Sequence, residues 1–255
     1  MNTPILLVAS GTSARTTGVY ESLEGKCRER FPGHDIHWAF ASRRVRELVY
    51  ERYGQKLPSP EDRIEEMYRA GCLKVVVQSV HLICGEEFHA MAHAVRGGAV
   101  EASIGLPLLS GPDDLSCLLD GLSASVPREK DSALVLVGHG TRHPAGLIYG
   151  LFDRQLNERF GNRARLRVLS GHPPLTGLGE QLRQEGISKV VLLPLMLVAG
   201  VHARKDVAGE DTSSVKRLLE NDGFQVEARV QGLLEMPAVL DRLCDHLADA
   251  VDRLA

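Results

Sequence analysis

Short apolar segments alternate along the chain with amphipathic segments of helical period. The apolar segments are rich in Val, Leu and Ile and end at Gly, Ser or Pro, so they predict buried β-strands. The predicted strands occupy residues 4–9, 36–40, 73–80 and 102–109, then 133–137, 165–169, 189–198 and 224–230. Helices are predicted between them, among others at 15–30, 60–70 and 210–221, with a final helix from about 237. Such alternation indicates an α/β fold with parallel sheets and right-handed crossovers.

The second half of the chain repeats the first. SGTS (10–13) matches HGTR (139–142) at an offset of 129, and KVVVQSVHLICGEE (74–87) matches KVVLLPLMLVAGVH (189–202) at an offset of 115. Chance similarity of valine-rich strands is the alternative, but two matches in the same order argue against it. We therefore predict two similar α/β domains, residues 1–126 and 127–255, which face each other across a cleft.

Composition and charge narrow the class of protein. A net charge of −3 over 255 residues gives no reason to expect nucleic-acid binding. The amino-terminal apolar run of five residues is too short for a signal peptide or a membrane span. Five scattered cysteines without a CxxC motif predict reduced thiols in the cytoplasm. The sequence leaves open whether the chain forms a homo-oligomer.

Side chains that can bind metals follow several predicted strands, where open α/β sheets place their ligands. They are His81, Glu86 and Glu87 in the first half, and His139, His143, His172 and His202 in the second. Imidazoles and carboxylates without clustered cysteines suit cobalt, nickel, iron or zinc, and they equally suit acid–base catalysis. The sequence contains no GxSxG, Walker A or GxGxxG motif.

His139 stands out because Gly138 and Gly140 flank it directly after a buried strand. We expect the glycines to end the strand and to leave the imidazole unshielded, although a capping histidine in a strand-to-helix turn is the alternative. A second group, Glu86, His89 and His93, shares one side of a predicted helix. It could chelate a metal, but we favour the alternative, a solvated helical face with a local ion pair.

Basic residues gather near the same loops, namely Arg15, Arg43, Arg44, Arg142, Arg204 and Lys205. Guanidinium groups match carboxylates in geometry, so a substrate rich in carboxylates would explain them. Solvated surface charge is the alternative for any single arginine.

Five segments resemble the class II tetrapyrrole chelatases, and within them the CbiK-type sirohydrochlorin cobaltochelatases. They are ILLVASGTS (5–13), VQSVHLICGEEF (77–88), GLPLLS (105–110), VGHGTRHPA (137–145) and LLPLMLVAGVHARKDVAGED (192–211). The resemblance implies two flavodoxin-like (Rossmann-like) halves. It also implies a cytoplasmic enzyme that inserts Co²⁺ into sirohydrochlorin or a precorrin-2-type tetrapyrrole during anaerobic cobalamin biosynthesis.

The resemblance also implies a set of site residues. His139 and His202 match the family's metal-binding histidines, and Glu87 matches a glutamate at the site. We expect the tetrapyrrole to be bound by Ser10, Arg15, Arg142 and Arg204.

One segment departs from the family pattern. Where the family has Val-Glu-x-Tyr-Pro, this chain has Leu169-Ser170-Gly171-His172-Pro173, so Ser170 replaces a glutamate ligand. We predict that His172 serves as a metal ligand instead, with a packing or surface role as the alternative. Val201 is a milder departure, since the family has an acidic residue there.

Other functions stay open at this point. Iron insertion toward sirohaem is a close variant, and Ni²⁺ is a further candidate metal. A tetrapyrrole or metal carrier without turnover would explain the loss of a glutamate at Ser170. A small-molecule oxidoreductase on a flavodoxin-like fold is the remaining alternative.

Overall fold

A computed structural model describes residues 3–13 and 18–254 of the chain. The first half contains β1 (Ile5–Ala9), α1 (Val19–Arg30), β2 (Ile36–Phe40), α2 (Arg43–Tyr53), α3 (Pro60–Arg69), β3 (Lys74–Val80), α4 (Glu86–Arg96), β4 (Glu101–Gly105) and α5 (Pro112–Leu122). The second half contains β5 (Ser132–Gly140), α6 (Leu147–Phe160), β6 (Ala164–Ser170), α7 (Leu178–Gln184), β7 (Lys189–Leu195), α8 (Val215–Asn221), β8 (Gln225–Ala228) and α9 (Pro237–Leu254). None of the helices in these described ranges combines the length and apolar character needed to cross a bilayer.

The strands form two parallel sheets with the same topology. The first sheet has the order β2-β1-β3-β4 and the second the order β6-β5-β7-β8. All the pairings are parallel, for example Ile5 with Ile36 in the first sheet and Leu134 with Ala164 in the second. The predicted α/β class and the internal duplication are therefore confirmed.

Local sequence explains where the elements form. The apolar residues of β1 are all buried, and so are Ala133 to Val137 of β5, because both strands lie inside their sheets. Helix α3 begins at a capping box, in which the Ser59 side chain accepts from the Asp62 backbone N–H and the Asp62 carboxylate accepts from the Ser59 N–H. Pro60 at the first helical position needs no hydrogen-bond partner, so this start was predictable from the sequence.

The chain folds into two compact units whose boundaries differ from the predicted domains. One unit comprises the described residues up to Asp114 together with those from Leu234 onward, and the other spans Leu115–Leu233. The prediction that residues 127–255 form one domain is wrong, because α9 packs in the first unit. His246 Nδ1 donates to the Leu106 carbonyl at 2.9 Å, and the Arg253 guanidinium donates to the Ile104 carbonyl at 2.8 Å.

Strand β5 is longer than predicted. It continues through Gly138-His139-Gly140, which was expected to end it after Val137, and Gly140 pairs with Ser170 of β6. Gly140 has a φ of +77°, and a Cβ there would lie 1.8 Å from the Ser170 carbonyl oxygen. Only glycine permits this close approach of the two backbones. Strands β4 and β7 end earlier than predicted, at Gly105 and Leu195.

A further difference follows β7. The predicted helix at 210–221 begins only at Val215, and a π-helical turn at Ala203–Val207 was not predicted. This turn directly follows His202, so it affects the geometry of a predicted site residue.

Candidate functional site

The strand order of each sheet defines where its site lies. The chain leaves β1 toward β2 on one side and reaches β3 on the other, so the order reverses between β1 and β3. The same reversal occurs between β5 and β7 in the second unit. Doubly wound sheets bind ligands at the carboxyl ends of strands at such a switch point.

The switch point of the second unit brings His139 and His202 together. Their ring centroids are 4.8 Å apart and the planes meet at 79°. Both side chains are exposed, although His139 directly follows a buried segment that ends at Gly138. Two imidazoles at this separation can share one metal ion with nitrogen–metal distances of about 2.0–2.1 Å.

In both histidines Nδ1 contacts an oxygen. His139 Nδ1 lies 3.3 Å from the Gly140 carbonyl oxygen, and His202 Nδ1 lies 2.5 Å from Asp206 Oδ2. Because these oxygens accept hydrogen bonds, the contacts favour the tautomer with its proton on Nδ1, which leaves Nε2 as the metal-binding atom. The sequence reasoning missed Asp206. The signal that could have found it is the spacing of four residues between His202 and Asp206.

The first unit places different groups at the corresponding positions. The Ser10 hydroxyl donates to the Glu87 carboxylate, and this joins the loop after β1 to the first turn of α4. Burial and the nearby Glu87 carboxylate raise the pKa of Tyr20 above its ordinary value, so its phenol stays neutral. Tyr20 packs edge-to-face against Trp38 and Phe40, with ring centroids 5.0 and 5.8 Å away. Arg15, predicted to bind the tetrapyrrole, lies outside the described residues.

Two further histidines of the predicted set have local structural contacts. His81 is buried and its Nδ1 lies 2.9 Å from Ser79 Oγ, while burial lowers its pKa to about 4. His143 Nδ1 accepts a hydrogen bond from the Ala145 backbone N–H at 3.2 Å, so it caps a short 3₁₀ turn.

His172 is exposed and lies beside α6. A Cβ added at Gly150 would be 3.6 Å from its Cδ2 atom. Within residues 3–13 and 18–254, no hydrogen bond or ring contact joins His172 to the two histidines of the switch point. Nor are three or more His, Cys, Asp or Glu side chains grouped to hold a metal ion anywhere in that part of the chain. Its role as a ligand stays a prediction.

The second helical group gives no sign of a metal site. Glu86, His89 and His93 are all exposed on α4. Their exposure agrees with the alternative given above, that these three residues form a solvent-facing side of α4.

Three cationic residues lie close in sequence to the histidine pair. Arg142 follows His139 by three residues, and Arg204 and Lys205 follow His202 by two and three residues. All three are exposed, and no ion pair to another described residue involves them. Their charges are therefore available to carboxylates of a ligand.

The sequence profile of the family described as cobalt chelatase (CbiK) matches residues 3–252. The chain belongs to this family. It is 33% identical to the sirohydrochlorin cobaltochelatase CbiKC of Nitratidesulfovibrio vulgaris strain Hildenborough, in a match that covers 98% of this chain and 91% of that protein. It is 30% identical to the sirohydrochlorin cobaltochelatase of Salmonella typhimurium LT2, over 99% of this chain and 97% of that protein. The predicted family is thus confirmed.

Solved structures with the same fold come from more distant chelatases. SirB from Bacillus subtilis with Fe³⁺ has a TM-score of 0.66 at 16% identity and covers 100% of this chain and 99% of its own. The sirohydrochlorin chelatase SirB from Bacillus subtilis subspecies spizizenii, in complex with cobalt, has a TM-score of 0.61 at 12% identity and covers 99% and 97%. At these identities the likeness shows that this CbiK-family chain shares their fold.

Proposed function

We propose that the protein inserts Co²⁺ into sirohydrochlorin, as a cobaltochelatase of anaerobic cobalamin biosynthesis. The observation that carries the proposal is the His139–His202 pair, with ring centroids 4.8 Å apart at the switch point of the second unit. Both relatives described above bear the name sirohydrochlorin cobaltochelatase and match nearly the whole chain. A cytoplasmic location and a homo-oligomer stay predictions.

The chemistry requires a weak metal site next to a proton acceptor. A divalent ion that enters a free-base tetrapyrrole displaces two pyrrole protons, so charge is conserved only if the protein or water accepts them. An imidazole Nε2 can bind the ion while neutral and take up a proton after the ion has left. His139 and His202 have this atom available because Nδ1 is engaged in each ring.

The remaining predicted residues complete the proposal. Glu87 takes part as a carboxylate that balances charge and accepts a proton, and the Ser10 hydroxyl holds it in place. Arg142 and Arg204 pair with carboxylates of the tetrapyrrole, and His172 adds a metal ligand in the second unit. We expect Glu87→Gln to retain Co²⁺ binding but to slow insertion by about 100-fold, as for other acid–base groups.

An anaerobic insertion assay tests the proposal directly. Purified protein is mixed with sirohydrochlorin and Co²⁺, and the absorbance change of the macrocycle is followed. We expect an initial rate well above the spontaneous one and proportional to protein concentration. Binding of both ligands without such a rate would instead favour the carrier function.

The same assay decides between metals. His and Glu ligands discriminate weakly among Co²⁺, Fe²⁺ and Ni²⁺, so geometry alone does not select one. We expect Co²⁺ to give the highest rate constant at equal free metal concentration. A higher rate with Fe²⁺ would favour iron insertion toward sirohaem.

A further inference from the structure

Asp206 has a contact with the histidine pair that metal binding alone does not require. Its Oδ2 atom lies 2.5 Å from His202 Nδ1. The two nitrogens of an imidazole point away from each other, so Nδ1 does not bind an ion that Nε2 holds. A carboxylate that accepts the Nδ1 proton of a metal-binding histidine fixes the tautomer and ring orientation and raises ligand basicity. The contact therefore has the geometry of an outer-shell partner.

The backbone that carries this contact is a π-helical turn. The Ala208 N–H donates to the Ala203 carbonyl at 3.1 Å, one residue further along than in an α-helix. His202 directly precedes this turn and Asp206 lies within it, so one short helical segment carries both side chains of the contact. Such turns are rare and frequently lie at functional sites.

Packing holds the turn in place. Ala203 and Val207 are fully buried, so the turn is anchored in the core of the second unit. Gly209 lies so close to the Lys205 carbonyl oxygen that an added Cβ would be 2.2 Å from it. The chain therefore positions Asp206 through backbone constraints on both sides of the carboxylate.

Among the residues that the structure describes, no carboxylate contacts His139 in the same way. Its Nδ1 lies 3.3 Å from the Gly140 carbonyl oxygen, a longer contact with a neutral acceptor. Hydrogen bonds to a charged acceptor are shorter and roughly twice as strong as neutral ones. The tautomer of His202 is thus under stronger control than that of His139.

We propose that Asp206 is a positioning residue that fixes His202 with its proton on Nδ1, so that Nε2 is presented to the metal ion. This inference rests on the proposed function for the identity of the metal. It assigns Asp206 no direct contact with metal or macrocycle.

A set of variants tests the proposal by Co²⁺ titration of the metal-free full-length protein and by ¹⁵N NMR of the His202 ring. We expect Asp206→Ala to weaken Co²⁺ binding by about 10- to 100-fold and to populate the Nε2–H tautomer. Asp206→Asn, which is almost isosteric, should lose affinity as well, but less. Glu158→Ala removes a carboxylate from the exposed Arg154–Glu158 pair of the same unit and should change neither measurement.

A double-mutant cycle separates positioning from direct ligation. If Asp206 acts through His202, Asp206→Ala has no further effect on Co²⁺ affinity in a His202→Ala background. A further loss there, or wild-type affinity and tautomer in both Asp206 variants, would overturn the proposal. The proposed function fails separately, since a protein without insertion activity can still show the predicted tautomer and affinity changes.

Discussion

The two units share one sheet topology but carry different side chains at their switch points. Their sheets have identical strand order, and in both a side-chain contact at the switch point joins the segments at the carboxyl ends of the two central strands. The offsets of the sequence repeat make Ser10 equivalent to His139 and Glu87 equivalent to His202. One unit thus joins a hydroxyl to a carboxylate where the other joins two imidazoles. The shared topology places two side chains close together at each switch point. Which ligand each switch point can bind depends on the residue types at those two positions.

The segments that follow these positions differ as well. In the first unit a regular helix, α4, starts at Glu86, and its buried Met91 occupies the position equivalent to Asp206. In the second unit a π-helical turn presents Asp206 to His202 instead. Within the described residues, the carboxylate behind a switch-point side chain therefore lies in the unit that carries the imidazoles, which is the unit expected to hold the metal.

Replacing either imidazole should have the largest effect on Co²⁺ binding and insertion. We expect His139→Ala and His202→Ala each to lower Co²⁺ affinity and the insertion rate by more than about 100-fold, since loss of an outer-shell partner alone costs about 10–100-fold. Both measurements use purified protein, and circular dichroism checks the fold.

An exposed histidine of the first unit serves as the matched control for these variants. His93→Ala should leave binding and insertion unchanged, because His93 lies on the solvated face of α4. Near wild-type insertion rates in both His139→Ala and His202→Ala would remove the pair from the mechanism.

Gly11 and Gly140 occupy equivalent positions in the two units, and replacing them tests how the backbone at each switch point is packed. Both have positive φ, +90° and +77°, so alanine strains the backbone at either site by about 1–2 kcal/mol. At Gly11 an added Cβ meets side chains at 3.1 Å or more, whereas at Gly140 it meets the Ser170 carbonyl oxygen at 1.8 Å.

We therefore expect Gly140→Ala to lower the free energy of unfolding well beyond the strain cost, by about 2–4 kcal/mol, and Gly11→Ala by less. Chemical denaturation measures both changes. Gly161→Ala, with a φ of +64° and open space around the added Cβ, gives the cost of strain alone. Equal losses at all three glycines would contradict the role of the close approach between β5 and β6.

Acidification should affect the first unit through His81. Burial lowers the pKa of this imidazole to about 4, below its ordinary value near 6.5. Between these values the unfolded chain binds the proton more readily, so stability falls as the pH drops through this window. The total loss is about 3 kcal/mol below pH 4. Hydrogen exchange as a function of pH, resolved by unit, measures the effect.

The second unit supplies the control for this pH effect, because Met196 stands at the position equivalent to His81. We expect His81→Met to remove the acid-induced loss. His246 acts in the opposite direction: burial lowers its pKa, but hydrogen bonds to Asp114 and Leu106 outweigh burial and raise it, so its contribution is present at low pH and fades as the pH rises. The difference between wild type and variant isolates His81. An identical pH profile in both would show that His81 is not titrating in this window.

The sequence predicted the strands and their repeat because buried strands need continuous apolar runs such as Ile5–Ala9. It could not assign α9, since an amphipathic helix shows that it buries one face but not against which sheet. His246 and Arg253 reach backbone carbonyls of the first unit only after the chain has folded. The glycines around His139 suggested a turn, but the extension of β5 depends on contact with Ser170, a tertiary feature. The π-helical turn that contains Asp206 spans only five residues, which is too short for a periodic pattern in the sequence.

Replacing His172 should have the smallest effect on Co²⁺ binding, and it tests whether the second unit holds the metal with more than the histidine pair. As a replacement for the family glutamate lost at Ser170, its imidazole would add one ligand to the histidine pair. We expect His172→Ala to weaken Co²⁺ binding by less than about tenfold, or about 1.4 kcal/mol, because its ring lies beside Gly150 and no hydrogen bond to another described residue orients it. Ser170→Glu in the same background restores the carboxylate of the family pattern and should recover the affinity. If His172→Ala binds Co²⁺ as wild type does, the imidazole is a surface group and the metal is held without it.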